Sequence, residues 1–464
     1  MQRLHALTRE RARPARVREW PHAWWLAVAT VCFGAFMGQL DASIVTLTYR
    51  PLRTEFGVSL AAVQWVSLAY LLALATLLIP VGRLADAHGR KLMYLYGFVI
   101  FTAASAACGL APGLSALIAF RIVQGVGAAL LQANSVALVT TSAPPARARA
   151  ALGVQGAAQA IGLALGPTAG GLLVSTLGWR WVFGINVPVG VVAVAAGVYL
   201  LPRTSHRTPI AGWDRSGLLL LATATTTALL VMSDASGLAP PRWGSIMLLV
   251  LAAISTAGFL LRERCAAAPL LDLTLLRVPT VSAGLLAALG GYLVLFGPLV
   301  LIPVVLTNSG LSELSAGLIL TALPAGFAFA ATTGERLLPT TWTDRTRCAA
   351  GALLAVTALA GLAVAPLSAG WLIPLLAILG VALGIFTPAN NTLLMQALPA
   401  RSSATSGGLL NMARSLGTAL GVALVTMALQ LRPAGPHLLD GPRTALLVLT
   451  TVATSLLLTT RHTR

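Results

Sequence analysis

Charge is what this sequence has least of. Only 9% of its 464 residues are charged, 57% are hydrophobic, and the mean hydropathy is +0.84. A soluble domain carries roughly 25% charged residues, so a soluble or single-pass enzyme is excluded. Acids are scarcer than bases, with 13 Asp and Glu against 31 Lys and Arg, and Lys91 is the single lysine. The four cysteines, Cys32, Cys108, Cys265 and Cys348, lack metal-ligand spacing. Cys32 and Cys108 also sit inside apolar runs, so neither a metal centre nor a disulfide framework is expected. No Walker loop is present, and no nucleophile is paired with a base. Gly125-Val126-Gly127 lies inside an apolar run, which rejects a dinucleotide fingerprint. Catalytic residues and cofactors are therefore expected to be none.

What the chain does have is long apolar runs. They continue over 18 or more residues without alternating, which points to helices and away from a β-barrel. Fourteen spans are predicted, at 24–47, 61–80, 92–110, 114–139, 149–175, 181–201, 216–233, 244–261, 280–306, 313–333, 347–366, 371–396, 403–430 and 443–460. Arginine orients them. With the N-terminus in the cytoplasm, 23 basic residues fall on the inside and only 6 on the outside, with Arg121 and Arg414 inside spans. Both termini are expected in the cytoplasm, and the first run reads as a retained signal anchor. The positive charge then marks a face that meets anionic lipid, and no nucleic-acid partner is needed. The arginine bias beside abundant Ala and Gly fits a high-GC bacterium, hence a bacterial cytoplasmic membrane.

A repeat recurs at an offset of 255 residues. Gly162-Leu163-Ala164-Leu165-Gly166 returns as Gly417-Thr418-Ala419-Leu420-Gly421, with Gly153 and Gly408, and Pro144 and Pro399, in step. Spans four and five thus match twelve and thirteen, and parallel halves of this kind are a transporter feature. The expected fold class is an all-α polytopic membrane protein arranged 6 + 2 + 6. Its parts are a basic cytoplasmic tail (1–23), an N-terminal six-helix bundle (24–201), a two-helix insertion with flanking loops (202–279), a C-terminal bundle (280–460) and a short tail (461–464).

Five segments carry a more specific signal. The loop after span two reads Gly82-Arg83-Leu84-Ala85-Asp86-Ala87-His88-Gly89-Arg90-Lys91. Its glycines permit a tight turn, and Asp86 can pair with Arg90 and accept from the next helix's N-terminus. This segment resembles the G-x-L-a-D-r-x-G-r-k signature of the major facilitator superfamily, with Ala87 in place of a basic residue. The corresponding Gly334-Glu335-Arg336-Leu337 of the second half has lost the pattern, so gating is expected to be asymmetric. Leu40-Asp41-Ala42-Ser43-Ile44-Val45-Thr46 resembles the L-D-x-T-I-V-N stretch of that superfamily's drug:proton antiporter branch. Arg121-Ile122-Val123-Gln124-Gly125-Val126-Gly127 is similar to the branch's R-x-x-Q-G-x-G motif. Gly162 through Gly171, with Gly166-Pro167 and Gly170, is similar to its G-x-x-x-G-P-x-x-G-G motif. Trp179-Arg180-Trp181-Val182-Phe183-Gly184-Ile185-Asn186-Val187-Pro188 resembles an element of the fourteen-helix members.

The resemblance implies a major facilitator fold and export of a small, fairly apolar compound, driven by protons through alternating access. The expected partners are a small-molecule substrate, protons and membrane lipid, with the chain acting as a monomer. Asp41 is the only carboxylate deep in a span, ~17 residues or roughly 25 Å beyond Trp24. Arg121 lies about 7 residues, roughly 10 Å, into span four from the other side, so the two share a depth. Buried charges are costly unless paired or hydrated. The pair is either a proton carrier whose titration depends on burial and on Arg121, or an ion pair that only joins helices. Gly82, Asp86, Gly89 and Arg90, with the Gly162/Gly166/Gly170 ladder and Pro167, are the expected gating elements; the ladder can also be a plain packing face. Gln64, Tyr70, Gln124, Gln132, Gln155, Gln159, Asn186, Tyr292, Asn390, Asn391 and Asn411 are candidates for a polar cavity, or for bonds between helices. Arg414, at the repeat position of Gln159, either binds an anionic group or orients Asn390 and Asn391. A dedicated exporter of an endogenous metabolite or siderophore is the alternative, and a membrane-embedded enzyme or sensor the reading from a different class.

Overall fold

The computed structural model describes residues 22–459, apart from 145–146, 205–213, 234–241, 267–268, 271–272, 340, 367, 398–402 and 432–440, together with 10, 13–14 and 19–20. Most of the expected tail 1–23, the tail 461–464 and Pro399 lie outside the described residues, as do the side chains of Glu335 and Arg336. Among the described residues there are sixteen α-helices: α1 (Ala23–Ile44), α2 (Tyr49–Phe56), α3 (Leu60–His88), α4 (Arg90–Gly109), α5 (Leu114–Ser142), α6 (Ala148–Thr176), α7 (Arg180–Gly184), α8 (Asn186–Leu200), α9 (Arg215–Ser233) and α10 (Arg242–Cys265). The second half contains α11 (Pro279–Asn308), α12 (Glu313–Leu337), α13 (Asp344–Val364), α14 (Ala369–Ala397), α15 (Ser403–Leu431) and α16 (Gly441–Thr459).

A 3-10 turn, Val45–Thr48, runs α1 into α2, and α7 abuts α8 across Ile185. These helices therefore make fourteen rods, and no strand occurs among the described residues. Twelve rods are long and apolar enough to cross a bilayer; two more apolar stretches, Arg215–Val231 and Gly441–Leu457, are shorter. The lengths follow from apolar runs that hold the backbone's hydrogen bonds inside each helix. Capping sets several starts: Ser59, Ser312 and Thr343 accept from the amides of Ala62, Ser315 and Thr346. Gly89, at φ 114, is what allows α3 to stop and α4 to begin at once.

The end of the bundle bearing Arg83, Arg90 and Arg147 is called the basic end here. At the opposite end Glu55 accepts from Trp179 Nε1 at 2.6 Å and pairs with Arg180 at 2.8 Å, which gives the tryptophan-arginine element an anchoring job. Packing repeats between the halves. Gly162, Gly166 and Gly170 of α6 are approached by Phe36, Ser43 and Ile44 of α1. Gly417 and Gly421 of α15 are approached in the same way by Leu289 and Leu293 of α11. Between the halves, Gly171 of α6 meets Glu313 and Leu314, Gly317 meets the Pro167 carbonyl, and Thr168 bonds Thr321 at 2.5 Å. Arg50 reaches Glu313 at 3.3 Å, so the end opposite the basic one is closed across the halves. Toward the basic end, Gly153, Gly156 and Gly334 of α6 and α12 have open space beside them. The inserted helices α9 and α10 pack on each other, and α9 also touches α3 and α15, one rod from each half. α10 leaves Trp243, Ile246, Leu249, Ile254 and Leu261 exposed, the pattern of a face meeting lipid.

Candidate functional site

Five helices converge on one carboxylate. Asp41 of α1 and Arg121 of α5 are buried, at 0% and 1% exposure, and Arg121 Nη1 donates to Asp41 Oδ2 at 2.6 Å. The other carboxylate oxygen, Oδ1, accepts from Gln124 Nε2 at 2.9 Å and from Asn186 Nδ2, at the start of α8, at 3.0 Å. Gln124 also accepts from Arg121 at 2.6 Å and donates to Ser105 Oγ of α4 at 2.8 Å. Arg121 Nε donates to the Val66 carbonyl of α3 at 2.8 Å. The guanidinium lies over the Tyr70 ring at 4.2 Å, with Phe183 on another side at 5.6 Å. Such a pair is stable only when its remaining donors and acceptors are met, and here both carboxylate oxygens and the Arg121 Nε and Nη1 groups have partners.

Geometry brings together Asp41, Arg121 and Gln124, and places Asn186 on the carboxylate instead of in a cavity. Ser105 and the Val66 carbonyl are the participants that sequence reading misses. Ser105 sits in an apolar helix like any packing serine, and a backbone acceptor has no residue signature.

A central cavity lies next to this network. Tyr70, Gln159, Tyr292, Asn411 and Arg414 line it, as do Gln132, Gln39 and Phe296. Tyr70 serves both sites: its ring holds Arg121 and also forms the cavity wall. Gln64, Gln124, Asn390 and Asn391 do not line it. Gln64 and Gln124 are buried, and Asn390 Nδ2 donates to the Gly284 carbonyl at 2.9 Å, joining α14 to α11. Arg414 bonds Asn411 Oδ1 at 3.3 Å and lies 5.2 Å from the Tyr292 ring centre, so Asn411 is its partner, and no bond joins it to Asn390 or Asn391.

A second cavity continues toward the basic end. It shares Gln132 and Asn411 with the first and adds Gly82, Arg83, Asp86 and Arg90. Asp86 pairs with Arg90 at 2.8 Å across one helix-to-helix turn, and the Gly89 amide closes α3 on the Ala85 carbonyl. The carboxylate thus faces its own arginine at the cavity rim. Among the described residues, no group of three or more His, Cys, Asp or Glu is placed to hold a metal.

This arrangement has relatives. The profile of the Major Facilitator Superfamily matches residues 31–422. A riboflavin transporter of Clostridioides difficile is 30% identical over 404 residues, covering 86% of this chain and 87% of that protein. The tetracenomycin C resistance and export protein of Streptomyces glaucescens is 31% identical, with coverage of 86% and 75%. The methylenomycin A resistance protein of Bacillus subtilis is 31% identical, with 86% of each chain covered. Among solved structures, a bacterial homologue of the human lysosomal transporter Spinster, inward-facing and unoccupied, superposes with a TM-score of 0.65 at 18% identity, over 96% of this chain and 98% of that one. Two sets of helices packed through matching glycine ladders, a loop with the Asp86–Arg90 pair at one end and a buried carboxylate beside a central cavity have a common origin: this chain belongs to the Major Facilitator Superfamily and is a multi-pass membrane transporter.

Proposed function

We propose that the chain is a proton-driven exporter of a small, fairly apolar compound of the drug or antibiotic type, working by alternating access as a monomer in a bacterial cytoplasmic membrane. The observation that carries this reading is the isolated Asp41–Arg121 pair, one tyrosine ring away from a cavity between the halves. A proton reaching Asp41 from outside neutralises the carboxylate and weakens its hold on Arg121, Gln124 and Asn186. Because these groups sit on α1, α5 and α8, that loss frees α1 to shift against the rest, and cargo leaves. Return to the inward-facing state releases the proton to the cytoplasm. The proton gradient supplies the work, since the sequence holds no nucleotide-binding loop.

The units are 24–201 and 280–460, with 202–279 as an insertion and the basic end in the cytoplasm. The α6 ladder, with Pro167, is the hinge side, and Asp86 with Arg90 biases the gate. Names of relatives support the cargo class, since two are antibiotic resistance or export proteins. The riboflavin transporter, at 30% identity, favours the second reading, an exporter dedicated to one metabolite. Purified protein in proteoliposomes tests the proposal. An imposed pH gradient should drive accumulation of a fluorescent drug, and a protonophore should abolish it. Accumulation indifferent to the gradient overturns proton coupling.

A further inference from the structure

Arg414 is a cation facing the central cavity without a carboxylate. Its one hydrogen bond is the 3.3 Å contact to Asn411, and its buried Nε has no acceptor. A guanidinium offers five N–H donors in a planar fork, and leaving a buried one unmet is costly. Among the described residues no Asp or Glu lines that cavity, and the acid nearest in function, Asp41, is sealed and already committed to Arg121. The route to the basic end is lined by Arg83 and Arg90 beside Asp86. A low-dielectric groove with one sign of charge concentrates ligands of the other sign. The Tyr292 ring lies 5.2 Å from the cation, and Phe296, which lines the same cavity, is near-parallel to Tyr292, 6.3 Å away and 17° off plane.

We propose that the cargo is an aromatic anion, a planar compound carrying a carboxylate or an acidic phenol, and that Arg414 recognises its negative oxygens. The inference rests on the transporter reading above and names its substrate class. Arg414 supplies a bidentate site for two oxygens, and the Tyr292 and Phe296 rings supply an apolar wall for the ligand's ring. In the central cavity a cationic drug meets Arg414 and, among the described lining residues, no carboxylate. With an anion moving out as a proton moves in, each cycle carries positive charge inward, so an inside-negative potential also favours export.

Calorimetry on the full-length protein in nanodiscs tests this with 2-naphthoate, 2-naphthamide and 2-naphthylmethylammonium as matched probes. The acid should bind at least about tenfold more tightly than the amide, a difference of roughly 1.4 kcal/mol, and the ammonium compound more weakly than either. Arg414→Gln should remove the acid's advantage with little change for the amide, and Arg414→Lys should keep part of it. If Arg414→Gln does not fold, Gln159→Glu places a carboxylate in the same cavity and should lower naphthoate affinity about tenfold. Equal binding of acid and amide, a preference that survives Arg414→Gln, or no naphthoate binding overturns the proposal. Binding needs no gradient. Protein that binds the acid through Arg414 but ignores a pH gradient overturns proton coupling alone, and protein that pumps a neutral drug independently of Arg414 overturns this proposal alone.

Discussion

Removing either member of the Asp41–Arg121 pair leaves a charge buried without its partner, which costs about 3–5 kcal/mol in a protein interior. Asp41→Asn and Arg121→Gln should each lower the unfolding temperature clearly. The double variant should recover much of that loss, because two neutral amides can still bond each other and Gln124. Transport should not recover. Asp41→Asn/Arg121→Gln has no titrating carboxylate, so gradient-driven accumulation should stay at background. A thermal-shift cycle read beside proteoliposome uptake separates the two roles. Uphill transport by the double variant would show that the pair only holds helices together. Asp41 and Arg121 were legible in the sequence because each stands alone in an apolar run, and counting residues from the flanking anchors put them at one depth. Gln124 was legible as the residue one helical turn past Arg121. Its bond to Asp41 was not, because a glutamine in a span reads equally well as cavity lining.

Helix packing is where glycine decides, and the α6 ladder gives the sharper test at this scale. A side chain at Gly166 would run into Ser43, with the Ile44 amide 3.2 Å away. Gly166→Ala should therefore cost roughly 1–3 kcal/mol through overpacking. Ser43→Gly removes the obstructing atoms and should restore much of the loss, whereas Gly153→Ala, with open space beside it, should be near neutral. Equal effects at 153 and 166, measured by thermal unfolding in detergent, would refute a close α1–α6 contact. The Asp86–Arg90 pair behaves differently. Both side chains are about a third exposed, and an exposed i,i+4 pair contributes only ~0.3–0.5 kcal/mol. Asp86→Asn should leave folding intact while changing the ratio of inward- to outward-facing molecules, read by cysteine accessibility, and slowing transport. An unchanged ratio with normal transport would refute a gating role. The spacing of apolar runs revealed fourteen rods, yet not the 3-10 turn at Val45–Thr48 or the seam at Ile185. Both lie within apolar sequence, where local hydrogen-bond geometry changes without any change in composition. Pro80, Pro167, Pro298, Pro303, Pro324, Pro374 and Pro388 sit inside helices, a position a sequence reader would take for a break.

At the scale of the molecule, the arginine count and the two cavities make one joint prediction about sidedness. The expected split of 23 basic residues against 6 predicts that the basic end lies inside. Contacts at Arg50–Glu313 and Gly171–Glu313 close the opposite end, while the cavity at Arg83, Asp86 and Arg90 runs toward the basic one. With that orientation the structure is predicted to open to the cytoplasm, with Arg414 reached from there. Reporter fusions after residues 205 and 464 should both report cytoplasm, since an even number of rods precedes each. A cysteine at position 334, in a background with Cys32, Cys108, Cys265 and Cys348 replaced by alanine, should react with a membrane-impermeant maleimide only in inside-out vesicles. A cysteine at position 50 should react only in right-side-out cells. An external signal from one fusion would change the parity of the rods before it, and external signals from both would invert the bundle. If the two cysteines exchange sidedness, the path past Arg414 opens outward, and the same arginine would collect anions for uptake instead of export.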